Sequence, residues 1–115
     1  MLDNVEALIK DRHAGNYARC REHTPRSTVD EALAELIASD AECILALGGG
    51  SVVDTVKAVA YGFFQSEGRF LRSIAIPTTI SVSEFTPFAG VLNETTRNKS
   101  SITDLRVLPE LVVLD

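Results

Sequence analysis

The chain has no tryptophan, one methionine, two cysteines, and 11 basic residues against 16 acidic ones. Each shortage excludes something. Two cysteines cannot build a disulfide framework or a metal cluster, and Cys43 lies in the apolar run "CILAL" while Cys20 sits in another segment, so both read as reduced structural thiols. The net charge of -5, with Lys and Arg scattered along the chain, argues against a nucleic-acid surface. His13 and His23 lack metal-ligand spacing. No apolar run approaches the roughly 20 residues of a membrane span. The opening "MLDNVEALIK" is acidic and amphipathic, unlike a signal peptide, which makes the cytoplasm the expected location.

What is present describes one globular α/β domain of 115 residues, with 45% hydrophobic and 23% charged composition. Asp3 and Glu6 form a capping-box pattern, and Leu2, Val5, Leu8 and Ile9 share a face, which predicts a first helix ending near Gly15. Residues 17–22 read as a short strand. In "TPRSTVDEALAELIASD", Ser27 or Thr28 is the expected N-cap, and Val29, Leu33, Leu36 and Ile37 repeat with helical spacing. Residues 43–47 form an apolar run without alternation, the pattern of a strand buried on both faces of a parallel sheet. Helical spacing returns through Val52, Val56, Val59, Ala60 and Phe63, and "SIAIP" is a second buried strand, which makes a βαβ unit. "FAGVL" and "KSSIT" read as a hairpin around "NETTRN", and "ELVVLD" as a third apolar strand. No internal repeat or linker interrupts the chain.

At the centre stands "LGGGSVVD". A strand ending in Gly48, Gly49 and Gly50 and followed by a helix from Ser51 gathers unpaired N–H groups and the positive end of a helix dipole, an anion site to which a pyrophosphate can come close. Ser51 can serve that phosphate or cap the helix. A bare GGGS is equally a tight strand-to-helix turn, being neither G-x-G-x-x-G nor a Walker sequence. Thr78 and Thr79, after the next strand, would face the same crevice outside the carboxyl ends of the strands, where open α/β sheets bind ligands.

"ALGGGSVVDTVKAVA", "IAIPTT", "SEFTP", the lysine of "NKSSI" and "LPELVVLD", in that order and spacing, resemble the N-terminal cofactor-binding domain of the iron-containing (group III) alcohol dehydrogenases. The family includes maleylacetate reductases and is related in fold to glycerol dehydrogenase and dehydroquinate synthase. The resemblance runs from about Thr24 to Asp115. It implies a three-layer, Rossmann-like parallel-sheet domain with a β-hairpin. It also implies an NAD or NADP pyrophosphate cradled by Gly49, Gly50 and Ser51 with Val52 behind them, cofactor contacts from Thr78 and Thr79, and a hairpin lysine, Lys99, that reaches the cofactor. Asp54 and Lys57 hold the family's places on the helix, a solvent-facing surface pair being the alternative. Ser83, Glu84 and Thr86 match a segment that shapes the loop near the nicotinamide. The loop "ISV" has the shorter spacing of maleylacetate reductases without their usual Tyr-Ala-Gly.

Family members are several times longer, and their divalent metal, iron or zinc, is held by an Asp and three His on a helical domain that has no counterpart in residues 1–115. The expectation is therefore a partial dinucleotide-binding domain, the cofactor half of an enzyme that moves hydride between nicotinamide and a small alcohol or carbonyl compound. The alternative is a non-catalytic nucleotide- or phosphate-binding module. In either case, strands left unpaired would favour self-association into a homo-oligomer.

Overall fold

A computed structural model describes residues 15–78 and 83–114, for Glu84 the backbone alone. The expected first helix, Thr79 and Asp115 lie outside the described residues. The elements in chain order are α1 (Arg26–Ser39), β1 (Cys43–Gly48), α2 (Gly50–Glu67), β2 (Arg72–Pro77), β3 (Phe88–Leu92), β4 (Lys99–Thr103) and β5 (Leu111–Val112). Two single 3-10 turns, Ser83–Phe85 and Leu105–Val107, join β2 to β3 and β4 to β5.

The apolar runs pair as expected. β1 and β2 lie parallel, with Ala46 opposite Ala75 and Gly48 opposite Pro77, and β5 adds a parallel pair, Ala75 opposite Val112, in the order β1-β2-β5. The crossover between the first two strands is α2, so the βαβ unit read from the sequence is present. β3 and β4 form the separate antiparallel hairpin, Gly90 opposite Ser101. The α/β architecture with a parallel sheet and a hairpin is thus the one the chain adopts.

α2 is 18 residues long and buries a face made of Val53, Ala58, Val59, Ala60 and Phe63. Removing a valine or phenylalanine side chain from water contributes roughly 1.5–3 kcal/mol. One cluster puts Val53 against Ala46 and Ala75 of the sheet. Another sets Ala58 and Val59 against Val29 and Ala32 of α1 and Val91 of the hairpin. α2 is therefore the spine that joins sheet, hairpin and α1. It ends where Gly68 takes φ +78 and donates its N–H to the Phe64 carbonyl at 2.8 Å, a left-handed cap that favours glycine.

The start of α1 differs from the expectation. Its N-cap is Pro25, whose extended φ and ψ fit that position, and the helix begins at Arg26 rather than after Ser27 or Thr28. The capping oxygen comes from the hairpin instead: Glu94 accepts the Ser27 N–H at 2.9 Å and the Ser27 hydroxyl at 3.0 Å. Arg21 donates to Glu94 and to Ser27, and the Leu92 N–H donates to the Thr24 carbonyl at 3.0 Å. Residues 17–22 form no strand. Their side chains clamp α1 from outside, Arg19 bonding both Glu31 and Glu35, which sit one helical turn apart.

The continuous apolar runs also predict strands covered on both faces. Alternation along the strands puts Ile44, Ala46, Ala75 and Val112 on the face beneath the helices. Leu45, Leu47, Ile74 and Ile76 point the other way and are half-buried, and Leu111 on the same side is 54% exposed.

Candidate functional site

The glycine turn is built from two different glycines. Gly48 has φ +154, and a Cβ there would stand 2.6 Å from Cγ2 of Val52, so both backbone and packing demand glycine. Val52 lies behind the turn as expected, and it packs on the strand end. Gly49, by contrast, has φ -86 and ψ -166, an extended conformation open to other residues. It is the N-cap of α2, and no side chain among the described residues caps the helix. Serine, aspartate or asparagine in that place would fill the helix end with its own oxygen. Glycine leaves the end open.

The helix starts at Gly50, one residue before the expected Ser51. Val52 and Val53 donate their N–H groups to the Gly49 carbonyl, both at 3.1 Å, while those of Gly50 and Ser51 precede the first intrahelical bond. These two donors share the positive end of an 18-residue helix. The Ser51 carbonyl accepts from the Thr55 hydroxyl at 2.7 Å, which tightens the first turn. Thr78 is brought to the same place: its N–H donates to the Gly48 carbonyl at 2.9 Å, and its side chain is exposed. Gly49, Gly50, Ser51 and Thr78 therefore border one crevice at the carboxyl edge of the parallel sheet.

One helical turn on, Asp54 and Lys57 form a second region. Lys57 is not on a solvent-facing position: it is 1% exposed and is the largest fully buried side chain among the described residues. Its ammonium donates to the carbonyls of Ser83 and Phe88, to the Thr86 hydroxyl at 3.2 Å and to the Ser83 hydroxyl at 3.4 Å. The Ser83 hydroxyl in turn donates to Asp54, whose carboxylate is 4.0 Å from the Lys57 ammonium. Helical spacing of three puts both side chains on one face, but burial follows from the loop that closes over that face. Position 57 on a helix wheel shows none of this.

Asp54, Ser83, Thr86, Phe88, Gly90, Ser101 and Thr103 surround a cavity of about 450 Å³ between α2 and the hairpin. Lys99 stands opposite Leu92, on the hairpin face that carries Gly90 and Ser101. Its stem crosses Gly90 so closely that a Cβ there would meet Lys99 Cε at 2.5 Å. The sequence-predicted residues thus divide between the open crevice (Gly49, Gly50, Ser51, Thr78) and the hydroxyl-lined cavity beside it (Asp54, Ser83, Thr86, with Lys99 on the bordering face). Sequence reading missed Ser101 and Thr103 as lining residues. Their two-residue spacing on a strand facing "SEFT" is the signal that could have found them.

A larger cavity, about 600 Å³, lies at the opposite edge of the sheet, among Glu42, Cys43, Arg69, Phe70, Arg72 and Glu110. Size does not decide between the two edges. The 600 Å³ cavity lies at the amino ends of the strands, and two of its charged groups, Arg72 and Glu110, pair with each other at 3.4 Å. Open α/β sheets bind at the carboxyl edge. Burial pushes the thiols of both Cys43 and Cys20 up from their ordinary value, away from the thiolate that nucleophilic or metal chemistry needs. Among the described residues, no three His, Cys, Asp or Glu side chains gather as a metal site, and no helix is long and apolar enough to cross a membrane.

Comparison with known proteins agrees with this architecture. Maleylacetate reductase 1 of Rhodococcus opacus is 37% identical over 116 residues, covering 100% of this chain and 30% of that protein. Maleylacetate reductase of Sphingobium indicum is 36% identical over 111 residues, 96% of this chain and 29% of that protein. The crystal structure of maleylacetate reductase from Agrobacterium tumefaciens superposes with a TM-score of 0.86 at 29% identity, over 98% of this chain and 30% of that one. The chain thus spans about 30% of the length of these relatives. The sequence model of the iron-containing alcohol dehydrogenases matches residues 1–115, and the chain belongs to that family.

Proposed function

We propose that this chain is the cofactor-binding portion of an NAD(P)- and metal-dependent alcohol dehydrogenase or reductase. The observation that carries the reading is the open start of α2: a glycine N-cap, no capping side chain, and the Gly50 and Ser51 N–H groups turned to the carboxyl edge of the sheet. A pyrophosphate there would accept from both amides and meet the helix dipole, and the missing side chain of Gly49 lets it approach. Ser51 and Thr78 would supply hydroxyls, and Thr79 a further one. Asp54, the cavity behind it and Lys99 would hold the part of the dinucleotide that extends along α2. The Val52 side chain fixes the turn from behind.

The nicotinamide would supply the hydride chemistry. This chain's residues bind the cofactor, orient it and screen one side from water. The groups that polarise an alcohol or carbonyl oxygen, with the iron or zinc and the small substrate, belong to the remainder of the enzyme in this reading. We therefore expect no turnover of any alcohol by the chain alone, with or without added metal. Maleylacetate reductases among the relatives at 37% and 36% identity make a reductase the favoured direction.

A fluorescence titration with NADH and NADPH tests the reading. The parent chain should bind one of them, and Gly50→Val, which places a branched side chain at the amide cradle, should weaken binding at least tenfold, about 1.4 kcal/mol. Equal affinity in both chains contradicts the assignment. A second reading, an interaction module, is favoured by the apolar sheet face that carries Leu45, Leu47, Ile74 and Ile76. Under it the chain binds no dinucleotide and forms concentration-dependent oligomers that Ile74→Asp disperses, which sedimentation velocity would resolve.

A further inference from the structure

Lys57 is the one fully buried cation among the described residues, and its acceptors are unusually placed. Two of them are the carbonyls of Ser83 and Phe88, the first residue of the 3-10 turn and the first residue of β3. A single ammonium therefore grips both ends of the six-residue segment Ser83–Phe88. The Thr86 hydroxyl, midway along the segment, accepts a third contact at 3.2 Å. An ammonium has three donors, and this segment offers it four acceptors, two carbonyls and two hydroxyls. Its charge is balanced by Asp54 in two ways, directly at 4.0 Å and through the Ser83 hydroxyl, which accepts from Lys57 and donates to Asp54.

A buried charge carries a heavy desolvation cost, and a side chain that served only to fill space here could be apolar. What an apolar side chain cannot do is fix a loop that has almost no regular structure of its own. The segment borders the cavity beside the glycine turn through Ser83, Thr86 and Phe88. It also sets where β3 begins, and with it the hairpin face that carries Gly90 and Lys99.

We infer that Lys57 is a positioning residue for the cofactor crevice: it touches no ligand, but holds Ser83–Phe88 against α2 and orients the Asp54 carboxylate toward the cavity. The inference rests on the cofactor reading given above and deepens it. Without the ammonium, the carbonyls of Ser83 and Phe88 lose their donor, the Ser83 hydroxyl is released, and the cavity wall moves by the ångström or so that is enough to lose binding precision.

The test uses the full chain with Lys57→Met, of similar length and apolar, and Lys57→Arg, which keeps charge and donors. Amide exchange and NADH affinity are both measured where circular dichroism shows each variant folded. In Lys57→Met we expect the largest acceleration of exchange at residues 83–92, in excess of the uniform change that a lower global stability brings, and about tenfold weaker NADH binding; Lys57→Arg should recover part of both. Parent-like NADH affinity in Lys57→Met overturns the inference while leaving the cofactor reading intact. Faster exchange spread evenly over the chain, with no excess at residues 83–92, also overturns it, since that is loss of stability alone and not of loop position. Failure of the parent to bind NADH would sink the cofactor reading instead, and the exchange pattern would still decide whether Lys57 holds the segment. Should Lys57→Met not fold, Ser83→Ala keeps the lysine and its bonds to the Ser83 and Phe88 carbonyls, and removes the hydroxyl that joins Lys57 to Asp54. A few-fold loss of NADH affinity is then expected, and none contradicts the inference.

Discussion

The two halves of the crevice are built on opposite plans. At the glycine turn, backbone is laid open: Gly48 bends the chain, Gly49 has no side chain to cap the helix, and the amides of Gly50 and Ser51 precede its first intrahelical bond. One helical turn later everything is closed: the Lys57 ammonium, the Ser83 hydroxyl and the Asp54 carboxylate bond to one another within the protein. An open set of donors can bind a ligand, and a closed one can hold a shape. The proposed cofactor site would need both, because a phosphate cradle without a fixed wall would bind any anion at a helix end.

Substitutions in the turn should give the largest effects and separate its two kinds of glycine. Gly48→Val imposes a β-branched side chain at φ +154 and drives it into Val52, which should cost about 3 kcal/mol or more in denaturant unfolding. Gly49→Ala, at an extended backbone that alanine tolerates, should cost less than about 1 kcal/mol. Equal losses at the two positions would break the distinction between the glycine that the fold requires and the glycine proposed to admit a ligand. In the closed region, Lys57→Met should lower stability by about 2 kcal/mol, since the loss of a donor to the Ser83 and Phe88 carbonyls is offset in part by relief of the buried charge. No loss at all would mean that the buried network is dispensable to the fold.

The smallest effect expected is at the hairpin tip. The Ser27 N–H, then its hydroxyl, hold the Glu94 carboxyl below its ordinary value. A carboxylate whose folded value is depressed contributes stability that is present above the unfolded value and lost as pH falls through the folded one. Melting temperature should therefore decline slightly more in the parent than in Glu94→Gln as pH drops through and below the usual glutamate range. Identical pH profiles would show that this exposed cap adds nothing.

The same contrast explains what could be read from residue order. The glycine turn, the βαβ unit and the hairpin are local patterns, and each appears where glycine, apolar runs and turn residues put it. The boundaries of α1 were not legible, because its capping oxygen arrives from Glu94, 67 positions along the chain. Lys57 was not legible either. A lysine in mid-helix looks like solvent-facing charge on a helix wheel, and its burial is decided by carbonyls 26 and 31 residues away. The strand expected at residues 17–22 failed for a related reason: the residues there spend their side chains on α1 rather than their backbone on a sheet. Local patterns show where the glycine turn and the carboxyl edge of the sheet lie, and long-range contacts determine how firmly the region beside them is held.

The most direct test of the central claim is a map of backbone amide shifts in a ¹⁵N-labelled chain as NADH is added. The account predicts the largest shifts at Gly49, Gly50, Ser51 and Thr78, followed by Asp54 and the residues lining the cavity beside α2. Shifts centred on Glu42, Cys43 and Arg72 at the opposite edge of the sheet, or none at any concentration, would contradict it.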